Sequence, residues 1–218
     1  MVLCTFMHFR IICILGFLFS VVFQYSEAIA EYSIALSEKN KNALLKVERY
    51  LNNITTISAK FVQVSSSGDQ YEGSLKLSRP GNLRIDYKPP YPVIITANSS
   101  YLSFYDTELG QESNISIDDT PVGILLAKDF SFSNNSVMIK EFQAIKGVIR
   151  LSVRHNKNPA SGLLTLIFSE TPMELRKWTI LDAQNIVTHV AFTESQHGEP
   201  IPLDIFEYTL PDRTEMLK

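Results

Sequence analysis

The spacing of apolar residues changes once along the chain, from a helical period to a strand period. The first apolar stripe recurs at intervals of three and four residues, at Leu44, Val47, Leu51 and Ile54. This spacing predicts an amphipathic helix over roughly residues 37–53, with Ser37 as a suitable N-cap. From Thr56 onward the apolar residues alternate with polar ones, as in strands that have one buried face. The pattern therefore predicts one helix followed by a domain made mainly of strands.

The alternating part of the chain divides into about eleven short segments separated by turn residues. The predicted strands cover residues 56–66, 70–79, 82–88, 92–98, 100–106, 136–145, 147–155, 162–169, 174–182, 185–194 and 203–209. Turn formers such as Gly68-Asp69 and Pro80-Gly81 separate successive strands, which favours consecutive antiparallel pairing. A short helical piece near residues 120–127 interrupts the series. Its small apolar face comprises Val122, Leu125 and Leu126.

The parity of apolar positions predicts which side chains share one face of the sheet. Leu75, Leu77 and Leu83 have one parity, whereas Lys76 and Arg84 have the other. One face should therefore be apolar and the other exposed to water. The predicted apolar face includes Phe61, Leu75, Leu77, Leu83, Ile85, Ile95, Leu102, Phe104, Trp178 and Ile180.

The helical segments are few for the number of strands that they must cover. A sheet of this size with so little helix has to curl around its own apolar face, which predicts an incomplete antiparallel barrel enclosing a hydrophobic cavity. An ordinary packed core under the sheet is the alternative, and parity alone does not separate the two.

Residues 1–30 have the features of an export signal rather than of a folded element. His8 and Arg10 precede an apolar run from Ile11 to Phe23, and Ala28-Ile29-Ala30 fits a small-x-small cleavage site. The run is shorter than the about 20 residues that a membrane-spanning helix needs. We expect cleavage after Ala30, and residues 31–218 should form a single domain.

Composition limits the chemistry that the predicted domain can perform. Both cysteines, Cys4 and Cys13, lie within the predicted signal, so residues 31–218 contain no thiol for a disulfide, a metal site or a nucleophile. A net charge of −3 gives no basic surface for nucleic acid. His155, His189 and His197 are scattered, and no nucleophile elbow, phosphate loop or metal-ligand motif occurs. We expect neither an enzyme nor a bound cofactor or metal.

Arg79 has the same parity as Leu75 and Leu77, and should therefore point toward the apolar face. At a strand end its guanidinium can extend back to water. Alternatively, its five donors can bind backbone carbonyls of a covering helix and so hold a lid closed.

Several short motifs in this order resemble a known family. They are Phe61-x-Gln63, Gly73, Leu75-x-Leu77-x-Arg79-Pro80-Gly81-x-Leu83-Arg84-x-x-Tyr87, Phe104-Tyr105-Asp106, Leu109-x-Gln111 and Thr120-Pro121. Together they resemble the periplasmic lipoprotein carrier LolA over most of the predicted domain. The resemblance implies a half-closed barrel with helices forming a lid over a hydrophobic cavity, and it implies that Arg79 holds the lid closed.

The resemblance also implies partners and a location. A carrier of this family accepts acylated lipoproteins from an inner-membrane ABC transporter and delivers them to an acceptor at the outer membrane, as a periplasmic monomer. A carrier or sensor of free lipids or other envelope components on the same scaffold remains open. Four N-glycosylation sequons, at Asn53, Asn98, Asn114 and Asn134, suggest the alternative of a glycosylated, lipocalin-like secreted protein. A secreted domain without disulfides is, however, unusual.

Overall fold

The computed structural model describes residues 38–209 of the chain. The predicted signal peptide, the domain boundary at residue 31 and the Ser37 cap all lie outside the described residues. Helix α1 spans Glu38–Asn53, close to its predicted range, and carries an acidic residue in its first turn, where the helix dipole favours negative charge. Its apolar stripe is buried, with Val47 fully inaccessible and Leu51 nearly so.

The strands form one continuous antiparallel sheet. Their bounds are β1 Thr56–Ser65, β2 Gln70–Ser78, β3 Asn82–Tyr87, β4 Val93–Ala97, β5 Tyr101–Asp106, β6 Gln111–Ser116, β7 Val137–Ile145, β8 Val148–His155, β9 Leu163–Glu170, β10 Met173–Leu181 and β11 Val187–His197. The order across the sheet is β6-β5-β4-β3-β2-β1-β11-β10-β9-β8-β7. Because β6 and β7 are both edges, the sheet does not close. The mainly β class and the incomplete antiparallel barrel are confirmed.

The remaining helical elements are short. Helix α2 spans Val122–Leu126, and single 3-10 turns cover Ile117–Asp119, Pro159–Ser161 and Leu203–Phe206. Within residues 38–209, no helix combines the length and the apolar character that crossing a bilayer would require.

The structure corrects the strand prediction at two places, one strand that was missed and one that does not form. β6 was not predicted, because every residue from Gln111 to Ile115 is exposed at a sheet edge and the segment lacks apolar alternation. Residues 203–209, predicted as a strand, instead contain the 3-10 turn Leu203–Phe206. Pro200 and Pro202 come immediately before this segment and supply no N–H that could extend a ladder from β11 into it.

The outer face of the sheet is not uniformly exposed to water, contrary to the prediction from parity. The segment after β11 crosses the outer side of β3 and β5, where Arg84 Nη1 donates to the Ile205 carbonyl at 2.9 Å. The Tyr105 and Tyr208 rings contact each other there, with centroids 4.8 Å apart. Thr96 and Ser103 are consequently buried on this face.

Candidate ligand cavity

A partly open cavity of about 570 Å³ lies against the inner face of the sheet. Its wall is mostly apolar, from Leu83, Ile85, Val93, Ile95, Leu102, Phe104, Ile115, Val122, Trp178, Ile180 and Val190. Polar side chains occur at nine further positions, namely Gln63, Tyr87, Tyr91, Asp119, Thr120, Ser161, Asp182, Gln184 and Thr188. A concave site that combines apolar walls with placed polar groups is the usual form of a binding site for a small amphiphile.

The structure separates the predicted apolar-face residues into two groups. Around the cavity it brings together Leu83, Ile85, Ile95, Leu102, Phe104, Trp178 and Ile180. The other three point to the same side of the sheet but lie in the packed core beside the cavity, and they are Phe61, Leu75 and Leu77. Sequence reasoning missed the loop residues of the rim, such as Ser161 and Gln184, because loops carry no periodicity. Gln63 could have been found, since it shares the parity of Phe61.

The register of the sheet places polar groups within the apolar wall. Trp178 pairs with Val190, Val190 pairs with Gln63, and Gln63 pairs with Tyr71. Directly paired residues face the same side of a sheet, so this row runs across the inner wall from β10 to β2. Trp178 is only 3% exposed.

A tyrosine and a glutamine are hydrogen-bonded at one end of the cavity. Tyr87 Oη donates to Gln63 Oε1 at 2.7 Å. Burial is the main cause that raises the pKa of Tyr87, so its hydroxyl stays protonated and remains a donor. The Phe61 and Tyr87 rings meet edge to face with centroids 5.4 Å apart. A Cβ at Gly73 would lie 2.6 Å from the Phe61 ring, so glycine is needed for this contact.

Helix α2 covers one end of the half-barrel. Val122 lines the cavity, whereas Leu125 and Leu126 are buried against the core. The helix is anchored to the turn between β2 and β3, where Gly81 N donates to the Leu126 carbonyl at 2.9 Å. Of these three apolar residues, one therefore contacts the cavity and two pack the helix against the core.

The Arg79 guanidinium joins both helical regions to the sheet. Nε donates to the Ala127 carbonyl at 3.0 Å, and Nη2 donates to the Ala127 carbonyl and, at 3.3 Å, to that of Lys128. Nη1 donates to the carbonyl of Leu51 in α1. Burial lowers the pKa of Arg79, and the nearby Asp129 opposes this shift. The half-buried side chain thus links α1 and the end of α2 through backbone acceptors.

A second link connects α1 directly to the segment after α2. The Asn52 amide donates from Nδ2 to the Phe130 carbonyl and accepts from the Phe130 N–H, both at 2.8 Å. Glu48 Oε2 accepts from the Phe132 N–H at 2.9 Å. These bonds fix residues 130–132 on α1 independently of Arg79.

His155 lies beneath the lid. Its Nε2 is buried without a hydrogen-bond partner among the described residues, and it is 3.4 Å from where a Cβ would stand at Gly123 of α2. Desolvation lowers the pKa of His155, while the Thr120 backbone and Asp118 partly oppose the shift. The neutral imidazole is therefore favoured under the closed lid.

A second cavity and the distribution of metal-ligating side chains complete the description of candidate sites. A more open cavity of about 370 Å³ lies beside the C-terminal end of α1, bordered by Tyr50, Met173 and His197. Within residues 38–209, no group of three or more His, Cys, Asp or Glu side chains is arranged to hold a metal ion.

The amino-acid sequence of this chain is similar to one protein family and to individual proteins of bacteria. The family model described as outer membrane lipoprotein carrier protein LolA matches residues 52–209. An uncharacterized protein of Rickettsia prowazekii is 26% identical over 183 residues, covering 83% of each chain. An outer-membrane lipoprotein carrier protein of Nitrosomonas europaea is 24% identical over 191 residues, covering 81% of this chain and 89% of the relative.

Solved structures of similar shape have low sequence identity. A LolA superfamily protein of Nitrosomonas europaea aligns with a TM-score of 0.46 at 8% identity, over 75% of this chain and 97% of the other. An uncharacterized conserved protein of Thermus thermophilus aligns with a TM-score of 0.46 at 11% identity, over 81% of this chain and 96% of the other.

Proposed function

Because the chain belongs to the LolA family of outer membrane lipoprotein carrier proteins, we propose that it shields the acyl chains of lipoproteins and carries them from the inner to the outer membrane. The observation that carries the proposal is an apolar cavity of about 570 Å³ beneath a helix that is attached through backbone hydrogen bonds. Such a cavity replaces the bilayer during transfer through water.

The energy of an exposed acyl chain explains why a carrier is needed. Transfer of one methylene from water to an apolar environment lowers the free energy by about 0.8 kcal/mol, so transfer of a whole acyl chain of ordinary length lowers it by roughly 10 kcal/mol. Release of a bare chain into water is slow for the same reason. A wall formed by side chains such as Ile85, Ile95 and Phe104 provides an alternative apolar environment.

The size of the cavity requires that the lid moves for larger cargo. A methylene occupies about as much space as a water molecule, roughly 30 Å³. The volume of about 570 Å³ is therefore that of about one long acyl chain. A cargo with two or more chains needs additional space, which displacement of Val122 and the rest of α2 would open.

Arg79 is the proposed latch of that lid. Its hydrogen bonds to carbonyls of Leu51, Ala127 and Lys128 exist only while both helical regions rest on the sheet. At about 0.5–3 kcal/mol net for each hydrogen bond, they favour the closed, empty carrier. The latch therefore lowers the affinity for cargo and allows delivery to an acceptor.

The remaining parts of the proposal concern location and partners. We propose that residues 1–30 are removed during export and that residues 31–218 act in the periplasm as a monomeric carrier without catalytic activity. Loading is from an inner-membrane ABC transporter, and delivery is to an outer-membrane acceptor or to the membrane itself. The family assignment and the latched cavity support these parts of the proposal.

A transfer assay between donor and acceptor membranes tests the function and the latch together. Arg79→Leu removes the hydrogen bonds and adds apolar surface, so the variant should load lipoprotein but release it at least tenfold more slowly than wild type. Arg79→Lys is the matched control, because it keeps the charge but loses most of the forked hydrogen bonding. Equal release from Arg79→Leu and wild type, with a cooperative melt for both, would refute the latch. Failure of wild type to load would refute the function.

A carrier of free lipids is the second candidate. The observation that favours it is that the cavity has the volume of about one chain. Mass spectrometry of the protein purified from its native envelope distinguishes the two, since an acylated protein and a free lipid differ in mass.

A further inference from the structure

The wall of the cavity contains two hydrogen-bond donors that no described residue accepts. The Trp178 indole N–H is buried and has no acceptor among residues 38–209. The Gln63 side chain accepts a hydrogen bond from Tyr87 at its Oε1. Its Nε2 donates to no acceptor among residues 38–209. A buried donor without an acceptor is unfavourable and uncommon in native proteins.

The two donors belong to one site because the sheet places them in one row. Trp178 and Gln63 flank Val190 on adjacent strands, so their Cα atoms are about 10 Å apart on the same face. All three side chains line the cavity. Two long polar side chains at this separation can both reach one small group, or two neighbouring groups, above Val190.

Neither donor is satisfied by its neighbours in the empty protein. The Phe192 ring packs edge-on to Trp178 with centroids 4.8 Å apart, and an aromatic ring is at best a weak acceptor. Tyr87 holds the oxygen of the Gln63 amide and leaves the hydrogens of the amide for another partner. A ligand made only of hydrocarbon would leave both donors without an acceptor.

We infer that the cavity recognises the carbonyl oxygens of acyl ester or amide linkages, which accept hydrogen bonds from Trp178 Nε1 and Gln63 Nε2. A carbonyl oxygen accepts and does not donate, which matches the two unpaired donors of this row. The acyl chain then continues along the apolar wall toward Ile85 and Phe104. This inference rests on the proposed carrier function and adds the chemical group that the cavity selects.

Paired lipids that differ only in the linkage provide the test. The mature protein is titrated with palmitoyl lysophosphatidylcholine and with its hexadecyl ether analogue, both below their micelle concentrations. The ester should bind about tenfold more tightly, because the ether lacks the carbonyl. A peptide with an N-terminal diacylglyceryl cysteine, compared with the lysolipid, shows whether lipoprotein or phospholipid supplies the carbonyl, and tighter binding of the peptide indicates lipoprotein.

Variants separate hydrogen bonding from the shape of the cavity. Trp178→Phe and Gln63→Met should each lower the ester-to-ether ratio by about threefold or more, since each removes one donor. Val190→Ala is the matched control, because it alters the same row and keeps both donors. It should change the affinity for both lipids alike and leave their ratio unchanged.

The single tryptophan of the chain gives a direct spectroscopic readout. The indole N–H mode of Trp178 in the ultraviolet resonance Raman spectrum should shift when the ester binds, but not when the ether binds. Equal affinities with an unchanged indole mode would overturn this inference and leave the carrier function standing. Binding of neither the two lysolipids nor the diacylglyceryl peptide would overturn both.

Discussion

The two halves of the sheet use the same apolar alternation but bury it differently. On the β8 and β9 side, Ile149, Leu151, Leu164, Leu166 and Phe168 are all 0% exposed. On the β3 to β5 side, Ile85, Tyr87, Val93 and Phe104 are only partly buried and border the cavity. The difference lies in the cover, because the 16-residue α1 contacts the first half and the 5-residue α2 closes the second.

The contacts of α1 show how the packed half is covered. The Tyr50 ring meets Phe168 of β9 edge to face with centroids 5.7 Å apart, and the Tyr50 hydroxyl accepts from the Leu175 N–H of β10 at 3.0 Å. Helix α2 makes no comparable layer over β3 to β5, and the space left there is the cavity. The length of the covering helix, rather than the strand pattern, decides whether an apolar face becomes packed core or borders a cavity.

The largest expected effect is on the packed half. Ile149→Ala removes a fully buried side chain from a region without free space, so it should lower the free energy of unfolding by about 2–5 kcal/mol. Denaturant unfolding of residues 31–218 measures the change. A loss below about 1 kcal/mol would mean that this half is not closely packed.

The next effect concerns the link between α1 and the segment after α2. Asn52→Ala removes both hydrogen bonds to the Phe130 backbone, and the expected cost is about 1–2 kcal/mol. Amide hydrogen exchange should increase at Phe130 more than in β8 or β9. Unchanged exchange at Phe130 would show that Asn52 does not hold the segment on α1.

A smaller loss of stability is expected from the same substitution in the cavity wall. Ile85→Ala shortens a side chain that already borders empty space, so the free energy of unfolding should fall by about 1 kcal/mol or less. Binding of an environment-sensitive apolar dye should nevertheless change. Because Ile85 and Ile149 are the same residue type on the inner face, equal losses of stability would contradict the proposed difference between the halves.

The smallest predicted effect is a pH dependence beneath the lid. Burial lowers the pKa of His155 below its ordinary value of 6.5, so the unfolded chain takes up a proton at a higher pH than the folded one. The contribution of His155 to stability is complete above pH 6.5 and is lost as the pH falls from there through its folded pKa. His155→Gln should flatten that part of the curve of unfolding free energy against pH. Identical curves for the variant and wild type would refute the role of His155.

Strand parity predicted which side chains share the inner face of the sheet. It did not predict which of them lie in the packed core and which line the cavity. Leu77 of β2 and Leu83 of β3 are paired and lie on the same face of the sheet, yet only Leu83 lines the cavity. That boundary depends on where α1 and α2 lie, which is set by contacts distant in sequence. Parity predicted that Arg79 points toward the apolar face, but its hydrogen bonds to the carbonyls of Leu51, Ala127 and Lys128 could be identified only in three dimensions.

The two errors in strand prediction have the same physical origin. β6 is a polar edge strand whose pairing with β5 is made by backbone groups, so its side chains give no signal. The segment containing Phe206 is apolar because it packs on the outer face of the sheet, where Arg84 binds the Ile205 carbonyl. Apolar residues therefore indicate burial, but they do not by themselves specify a strand.

Photo-crosslinking from the two faces of β5 tests the central claim most directly. Phe104 faces the cavity, whereas Tyr101 is exposed on the same strand with opposite parity, so a benzophenone amino acid can replace either aromatic residue. In cells, position 104 should form an adduct with acylated lipoprotein and position 101 should not. An adduct of equal yield at both positions, or none at position 104, would contradict the account of this cavity as the cargo site.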